Sequence, residues 1–176
     1  MDAEQVILSR GLPKTGQEIE YRAGDDGAYQ AGWWQGLKIA DNKTRFIAKR
    51  INYNDVVIDL ATGLMWPASG NKCACNEGLP LNWEDAITYA LDLTFAGFTD
   101  WRLPNIIELL SIIDFSLANP AIKDPPFKNT QSLHYWSSST YKGIITKAWT
   151  CNFLLGITAT TLKTESKLLR CVRDGV

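Results

Sequence analysis

One run constrains this chain more than any other: Thr99-Asp100-Trp101-Arg102-Leu103-Pro104-Asn105, followed at once by Ile106-Ile107-Glu108-Leu109-Leu110. Pro104 disfavours helix at the residue before it, so the run up to it is extended. Asn105 and Glu108 then stand in the N-cap-to-N3 relation of a capping box, with Asn in place of Ser or Thr. Ile106, Leu109, Leu110 and Ile113 give the following helix a buried stripe. Upstream, Asn82 caps an earlier helix whose first turn holds Glu84 and Asp85, where carboxylates complement the helix dipole. Trp83, Ala86, Ile87, Ala90 and Leu91 recur at helical spacing, and Gly97 is the stop beyond them. The run therefore reads as a hinge between two helices. Trp101 and Leu103 are expected to plug the core. Arg102 is expected to pair with a carboxylate or with backbone carbonyls, holding two layers together. Asp100, Trp101, Arg102, Pro104, Asn105, Glu108 and Trp136 form the predicted structural set, with Glu108 a cap rather than a ligand.

The rest of the chain alternates between turns and strands. Asp55-Val56-Val57-Ile58-Asp59 reads as a strand, Ala61-Thr62-Gly63 as a turn and Leu64-Met65-Trp66 as a returning strand. Beyond an irregular stretch with Pro120, Pro125 and Pro126, four strands read as a meander. They run from Tyr135 to Thr140, Ala148 to Leu154, Ile157 to Leu162 and Leu168 to Arg173. Period two puts Trp149, Cys151 and Phe153 on one face. Residues 1–50 show no sustained period and read as an irregular N-terminal arm, with Gly24-Asp25-Asp26-Gly27 as a turn. Two helices within a stranded chain give the α+β class, helices packed on antiparallel sheets, in one domain spanning residues 1–176.

Charge and motif content exclude several functions. The formal net charge is −1, and no global field favours nucleic acid. The tightest basic group, Lys43, Arg45, Lys49 and Arg50, reads as a solvated face. No apolar run approaches the roughly 20 residues of a membrane span. Met1-Asp2-Ala3-Glu4-Gln5 has neither a basic n-region nor an apolar h-region, which fits a cytosolic protein or an exported one whose signal has been trimmed. The single histidine, His134, reads as a strand-edge residue. Ser137, Ser138 and Ser139 beside it point to alternate faces and form no relay. Sites built on two or three histidines are excluded, and the phosphate-binding and nucleophile-elbow motifs are absent. No metal or cofactor is expected. The chain has seven tryptophans, read as core anchors.

Four cysteines allow three pairings. Cys151 and Cys171 lie on two predicted strands, and a bridge between them is the favoured reading, implying an oxidising compartment. Cys73 and Cys75 sit in a Gly/Asn-rich loop, where a bridge between residues two apart closes a strained ring. Four buried thiols are the alternative.

Several segments together resemble the bacterial Lcl C-terminal domain family (DUF1566), named after a Legionella collagen-like adhesin. They are Leu12-Pro13-Lys14-Thr15-Gly16-Gln17, Gly24-Asp25-Asp26-Gly27-Ala28-Tyr29-Gln30-Ala31-Gly32 and Asp59-Leu60-Ala61-Thr62-Gly63-Leu64-Met65-Trp66. Further on come Trp83-Glu84-Asp85-Ala86, the run from Gly97 to Asn105 with Glu108-Leu109, Tyr135-Trp136-Ser137-Ser138-Ser139-Thr140 and Arg170-Cys171-Val172-Arg173. They occur in the family's order. The resemblance implies a C-type-lectin-like fold and an exported bacterial protein, in the periplasm, at the outer membrane surface or outside the cell. The family's named adhesin is linked to sulfated polysaccharides. The Glu-Pro-Asn and Trp-Asn-Asp motifs of calcium-dependent sugar binding do not occur in this chain.

The expected function is a non-enzymatic binding module that takes a glycan or a protein partner on its long loops. The contact region is the loop from Pro67 to Pro80 with the irregular stretch from Ala118 to His134. Its candidate residues are Asn71, Lys72, Asn76, Lys128, Asn129 and His134. Two readings stand beside it. One is an enzyme related to the formylglycine-generating and sulfatase-modifying proteins, for which Cys73 and Cys75 are the only candidates. The other is a structural domain that self-associates as a homo-oligomer.

Overall fold

The computed structural model describes residues 12–29 and 45–175. Lys43 and the Gln30-Ala31-Gly32 part of the quoted segments lie outside them. A short helix, α1 (Asp26–Tyr29), is followed by strands β1 (Phe46–Ile51), β2 (Asn54–Asp59) and β3 (Leu64–Pro67). A 3₁₀ segment (Cys73–Gly78) leads to helices α2 (Trp83–Leu91) and α3 (Ile106–Ser111). Strands β4 (His134–Thr140), β5 (Lys147–Asn152), β6 (Ile157–Leu162) and β7 (Arg173–Asp174) complete the chain. The class is α+β, with two antiparallel sheets ordered β1-β2-β3-β7 and β4-β5-β6.

The first sheet has core on both faces, and strand alternation explains how. Val56, Met65, Leu169 and Cys171 enter one apolar cluster, and their neighbours Val57, Trp66, Leu168 and Val172 enter the other. Successive side chains on extended chain point to opposite faces, so each adjacent apolar pair supplies both cores. Sheets covered on both faces read as continuous apolar runs rather than alternating ones. Leu109, Ile112, Phe127 and Phe153 complete the cluster of Val57 and Trp66, while Ala86, Ala90, Trp101, Leu103 and Trp136 complete that of Val56 and Met65. Trp66, Trp101 and Trp136 are among the largest fully buried side chains, as core anchors should be.

The hinge matches its expectation. Asn82 accepts from the Asp85 N–H, and Asn105 accepts from the Ile107 and Glu108 N–H groups with the capping box closed. Trp101 donates from Nε1 to the Phe95 carbonyl at 3.0 Å. Arg102 donates to both Glu108 oxygens at 2.7 Å and exchanges backbone hydrogen bonds with Val172. Asp100 takes a two-pronged bond from Arg173, and Trp136 Nε1 donates to the Leu81 carbonyl. The structural set therefore joins both helices to the C-terminal segment.

Four expectations need correction. The end of the stretch read as irregular, residues 46–50, belongs to β1, because Phe46–Ile51 gains a full antiparallel register with β2. Arg45 is not on a solvated face. It is buried and donates to both oxygens of the fully buried Asp59, at 2.7 and 2.6 Å, and to the Ser111 carbonyl at the end of α3. Gly97 does not stop α2, which ends at Leu91 with Asp92 as C-cap; Gly97 instead sits in the tight turn between Phe95 and Phe98. Residues 168–173 do not add a fourth strand to the meander. Leu168 bridges Tyr135 and Val172 bridges Arg102, and then β7 joins β3 in the first sheet. The C-terminal segment is thus the tie between the two sheets.

Candidate functional site

A groove of about 410 Å³ opens where three turns meet. The β1–β2 hairpin supplies Arg50, Tyr53 and Asp55. The loop after β3 supplies Ser69, Lys72, Cys73 and Glu77. The stretch before β4 supplies Lys128 and Asn129. The two loops singled out from sequence are sewn together at its floor. Gly70 N–H donates to the Lys128 carbonyl at 2.8 Å, and Lys128 N–H to the Ala68 carbonyl at 2.7 Å. Asn129 Nδ2 donates to Ser69 Oγ, which donates to Asn71 Oδ1. Gln131 Nε2 adds a bond to the Gly78 carbonyl.

The wall is polar and the rim is aromatic. Tyr53 is 92% exposed. It occupies the second position of a two-residue hairpin loop, with φ of 44° at Asn52 and 64° at Tyr53. Both angles positive is the geometry of a type I′ turn, which favours Asn then Gly. Asn52 suits its place and is anchored by a bond from Nδ2 to the Ala96 carbonyl. Tyr53 does not suit its place, since a bulky residue there is strained. The fold holds a large aromatic ring out in water at a position that disfavours it.

Behind the floor lies Arg170, fully buried. Its guanidinium donates to the Pro67 carbonyl and to Thr130 Oγ1, each at 2.7 Å, and faces the Phe127 ring at 5.4 Å. Nε finds no partner. A carbonyl, a hydroxyl and a ring face thus stand in for a counter-ion at its described contacts, an expensive way to bury a charge. Gly70 is required beside it, because a Cβ there would sit 2.7 Å from Arg170 Nη2 and 2.7 Å from the Asn129 carbonyl. Burial raises the Tyr135 phenol, and Arg170 draws it partly back.

Of the six loop residues chosen from sequence, Lys72, Lys128 and Asn129 line the groove, and Asn71 braces it through Ser69. Asn76 faces away, lining a more open depression of about 460 Å³ beside α2 with Asp85, Tyr89 and Asp92. His134 is also elsewhere. It begins β4, an edge strand as expected, and its ring nitrogens meet Thr150 Oγ1 and Asn152 Nδ2. Burial, aided by the Lys167 charge, lowers its pKa below the ordinary 6.5. Sequence reading missed Tyr53 and Arg170. Asn52-Tyr53-Asn54 carried a turn signal for the first. Nothing in the Arg170-Cys171 pair announced a buried cation.

The predicted Cys151–Cys171 bridge is not present, and all four cysteines are free thiols. Cys151 packs in one core and Cys171 in the other, because the C-terminal segment leaves the meander. Nor are Cys73 and Cys75 joined, since Cys73 is exposed while Cys75 turns inward to donate to the Ser69 carbonyl. Burial pushes Cys75 up to about 11 and Cys151 to about 12. Among the described residues no cluster of His, Cys, Asp or Glu could hold a metal ion, and no helix is long and apolar enough to cross a membrane.

One family model, described as the Lcl C-terminal domain, matches residues 55–173, more than half of the chain. No curated protein matches it.

Proposed function

The chain belongs to the Lcl C-terminal domain family, and on that footing we propose that it is an exported, non-enzymatic bacterial binding module that takes a glycan in the groove. Helices α2 and α3 and the two antiparallel sheets are read as a C-type-lectin-like core, with the groove on its long loops. One observation carries the reading: an exposed, conformationally strained Tyr53 stands over a wall of Lys72, Lys128, Asn129 and Ser69. An aromatic face with convergent amide, hydroxyl and ammonium groups suits a sugar, whose ring presents apolar C–H edges and polar hydroxyls. Cys73 is the groove's nucleophile, yet the single imidazole is held on β4 by Thr150 and Asn152. That separation favours binding over catalysis.

The test is a glycan array on the full chain, followed by titration of each hit against Tyr53→Ala and Lys128→Ala. Saturable binding that both variants weaken supports the reading. No glycan bound, or hits indifferent to both variants, sinks it.

A second reading, self-association, has its own observation. Phe115, Leu117, Leu133, Leu154, Leu155 and Ile157 are exposed apolar residues on neighbouring segments. Those segments are joined by bonds from Asn119 N–H to the Leu154 carbonyl and Phe153 N–H to the Leu133 carbonyl. Contiguous apolar surface of this kind marks contact sites. Sedimentation of the wild type beside Leu155→Glu distinguishes it: a dimer that the charge dissolves favours the reading, and a concentration-independent monomer removes it.

A further inference from the structure

The two sheets end on β1 and β7 and on β4 and β6. The first three of these edges are protected. β1 carries Lys49 and Arg50, and β7 is two residues long. The outer backbone of β4 is taken. Trp136 N–H donates to the Leu168 carbonyl at 2.8 Å, Leu168 N–H to the His134 carbonyl at 3.1 Å and Ser138 N–H to the Pro104 carbonyl at 2.8 Å. Charge, brevity and cover are ordinary ways to blunt a sheet edge. β6 has none of them. Ile157-Thr158-Ala159-Thr160-Thr161-Leu162 holds no charge, no proline and no glycine, and its register with β5 runs without a bulge. Most of its side chains are β-branched, the type that favours strand pairing.

The register shows which groups of β6 face outward. Lys163 N–H donates to the Thr146 carbonyl at 2.9 Å, one step past the Lys147–Leu162 pair. Hydrogen-bonded pairs alternate along an antiparallel ladder, so Thr161, Ala159 and Ile157 bond to β5. Thr158 and Thr160 therefore turn their backbone N–H and C=O groups the other way. Among the described residues no hydrogen-bonding partner meets those groups. Thr158 is exposed and Thr160 half-buried.

We propose that two copies of this chain pair edge to edge, β6 against β6 in antiparallel order. The proposal rests on the self-association reading and names how the copies meet; it is independent of the glycan reading. Thr158 of one copy exchanges both backbone bonds with Thr160 of the other, and Thr160 with Thr158, with Ala159 on the two-fold axis. An edge paired antiparallel with itself is self-complementary, as a two-fold dimer requires. Threonine then faces threonine across the seam, a favourable cross-strand pair. The strand carries no charge, so no like charges are opposed. The β4-β5-β6 sheet becomes continuous through both copies, by the backbone pairing with which an added strand extends an open sheet. Leu155 and Ile157, both exposed, stand at the start of the strand, so part of the apolar surface flanks the seam.

The test follows amide hydrogen exchange by NMR on the full chain across a dilution series, with sedimentation at each concentration. The Thr158 and Thr160 amides are expected to exchange at least about tenfold more slowly where the chain is dimeric than where it is monomeric. The Ala159 and Thr161 amides, bonded to β5, stay protected throughout. Thr160→Pro removes an outward N–H and leaves the β5 ladder its bonds, a position where a strand accepts proline. It is expected to weaken the dimer at least about tenfold. Protection of Ala159 and Thr161 in that variant shows that β6 still folds; without it, exchange in the wild type decides. A dimer whose Thr158 and Thr160 amides exchange as fast as the monomer's, or one that a folded Thr160→Pro leaves intact, overturns edge pairing while self-association stands. A concentration-independent monomer overturns both.

Discussion

Arg102 and Glu108 form a two-pronged ion pair, with both N–O distances at 2.7 Å, and the same Glu108 carboxylate accepts the Asn105 backbone N–H at 2.8 Å. One side chain therefore closes the start of α3 and holds the strand-like hinge. Arg102 adds a third bond to Asp174 on β7 at 3.0 Å. Glu108→Ala removes the cap and the pair together. Arg102 is 36% exposed, so solvent screening trims the ionic part. The expected loss is about 1–2 kcal/mol of unfolding free energy, read from urea denaturation. Glu108→Gln keeps an acceptor for Asn105 and is expected to lose less. Equal losses for the two would show that the charge, not the cap, dominates.

Asp59 and Arg45 behave differently because neither reaches water. Asp59 also accepts from the Ala61 N–H at 2.9 Å and the Thr62 hydroxyl at 2.8 Å, so it shapes the β2–β3 turn as well. Asp59→Ala strands a buried guanidinium. The expected cost is about 3–5 kcal/mol, more than twice that at Glu108. A denaturation midpoint within error of wild type would mean that Arg45 finds water once freed.

Local signals carried the helices, and long-range pairing hid the rest. Asn82, Asn105 and Glu108 act within a few residues, so the capping pattern was readable from spacing alone. The Leu168–Arg173 run looked like a meander strand because its apolar content suits any sheet. Its partners, Tyr135, Arg102 and Met65, were set by the chain's path. The Cys151–Cys171 error followed from that misplacement. Lys72, Lys128 and Asn129 could be picked out as residues that line the groove because they are polar side chains on long proline-bearing loops. Tyr53 was missed because its significance lies in a positive φ, which a sequence does not print.

His134 gives a pH signature with a defined sign. Its folded pKa lies below the ordinary 6.5, first through burial and then through Lys167. The unfolded chain therefore binds the proton more readily, and stability rises with pH. The contribution is complete above 6.5 and is lost as pH falls from there through the lowered folded value. Asp100 is also lowered, chiefly by its hydrogen bond from Arg173, from an ordinary 3.8. Its contribution goes only in the more acidic carboxylate range, so the two steps separate. Thermal midpoints across the His134 window should fall for wild type and stay flatter for His134→Gln. Parallel curves would assign the slope to another group.

Tyr53 links fold to function most directly, because stability and binding pull on it in opposite directions. At φ of 64° a tyrosine sits where glycine belongs in an Asn-Gly hairpin turn. Its side chain is 92% exposed and gains little from packing. Tyr53→Gly should relieve left-handed strain and stabilise the chain by about 1 kcal/mol. If the ring is the platform for a sugar, the same change should weaken glycan binding at least about tenfold, about 1.4 kcal/mol. Denaturation and titration of this one variant give both numbers. A chain that becomes more stable and binds as before places the ligand elsewhere. A chain that becomes less stable shows that the ring supports the hairpin, and the strain argument for its role fails.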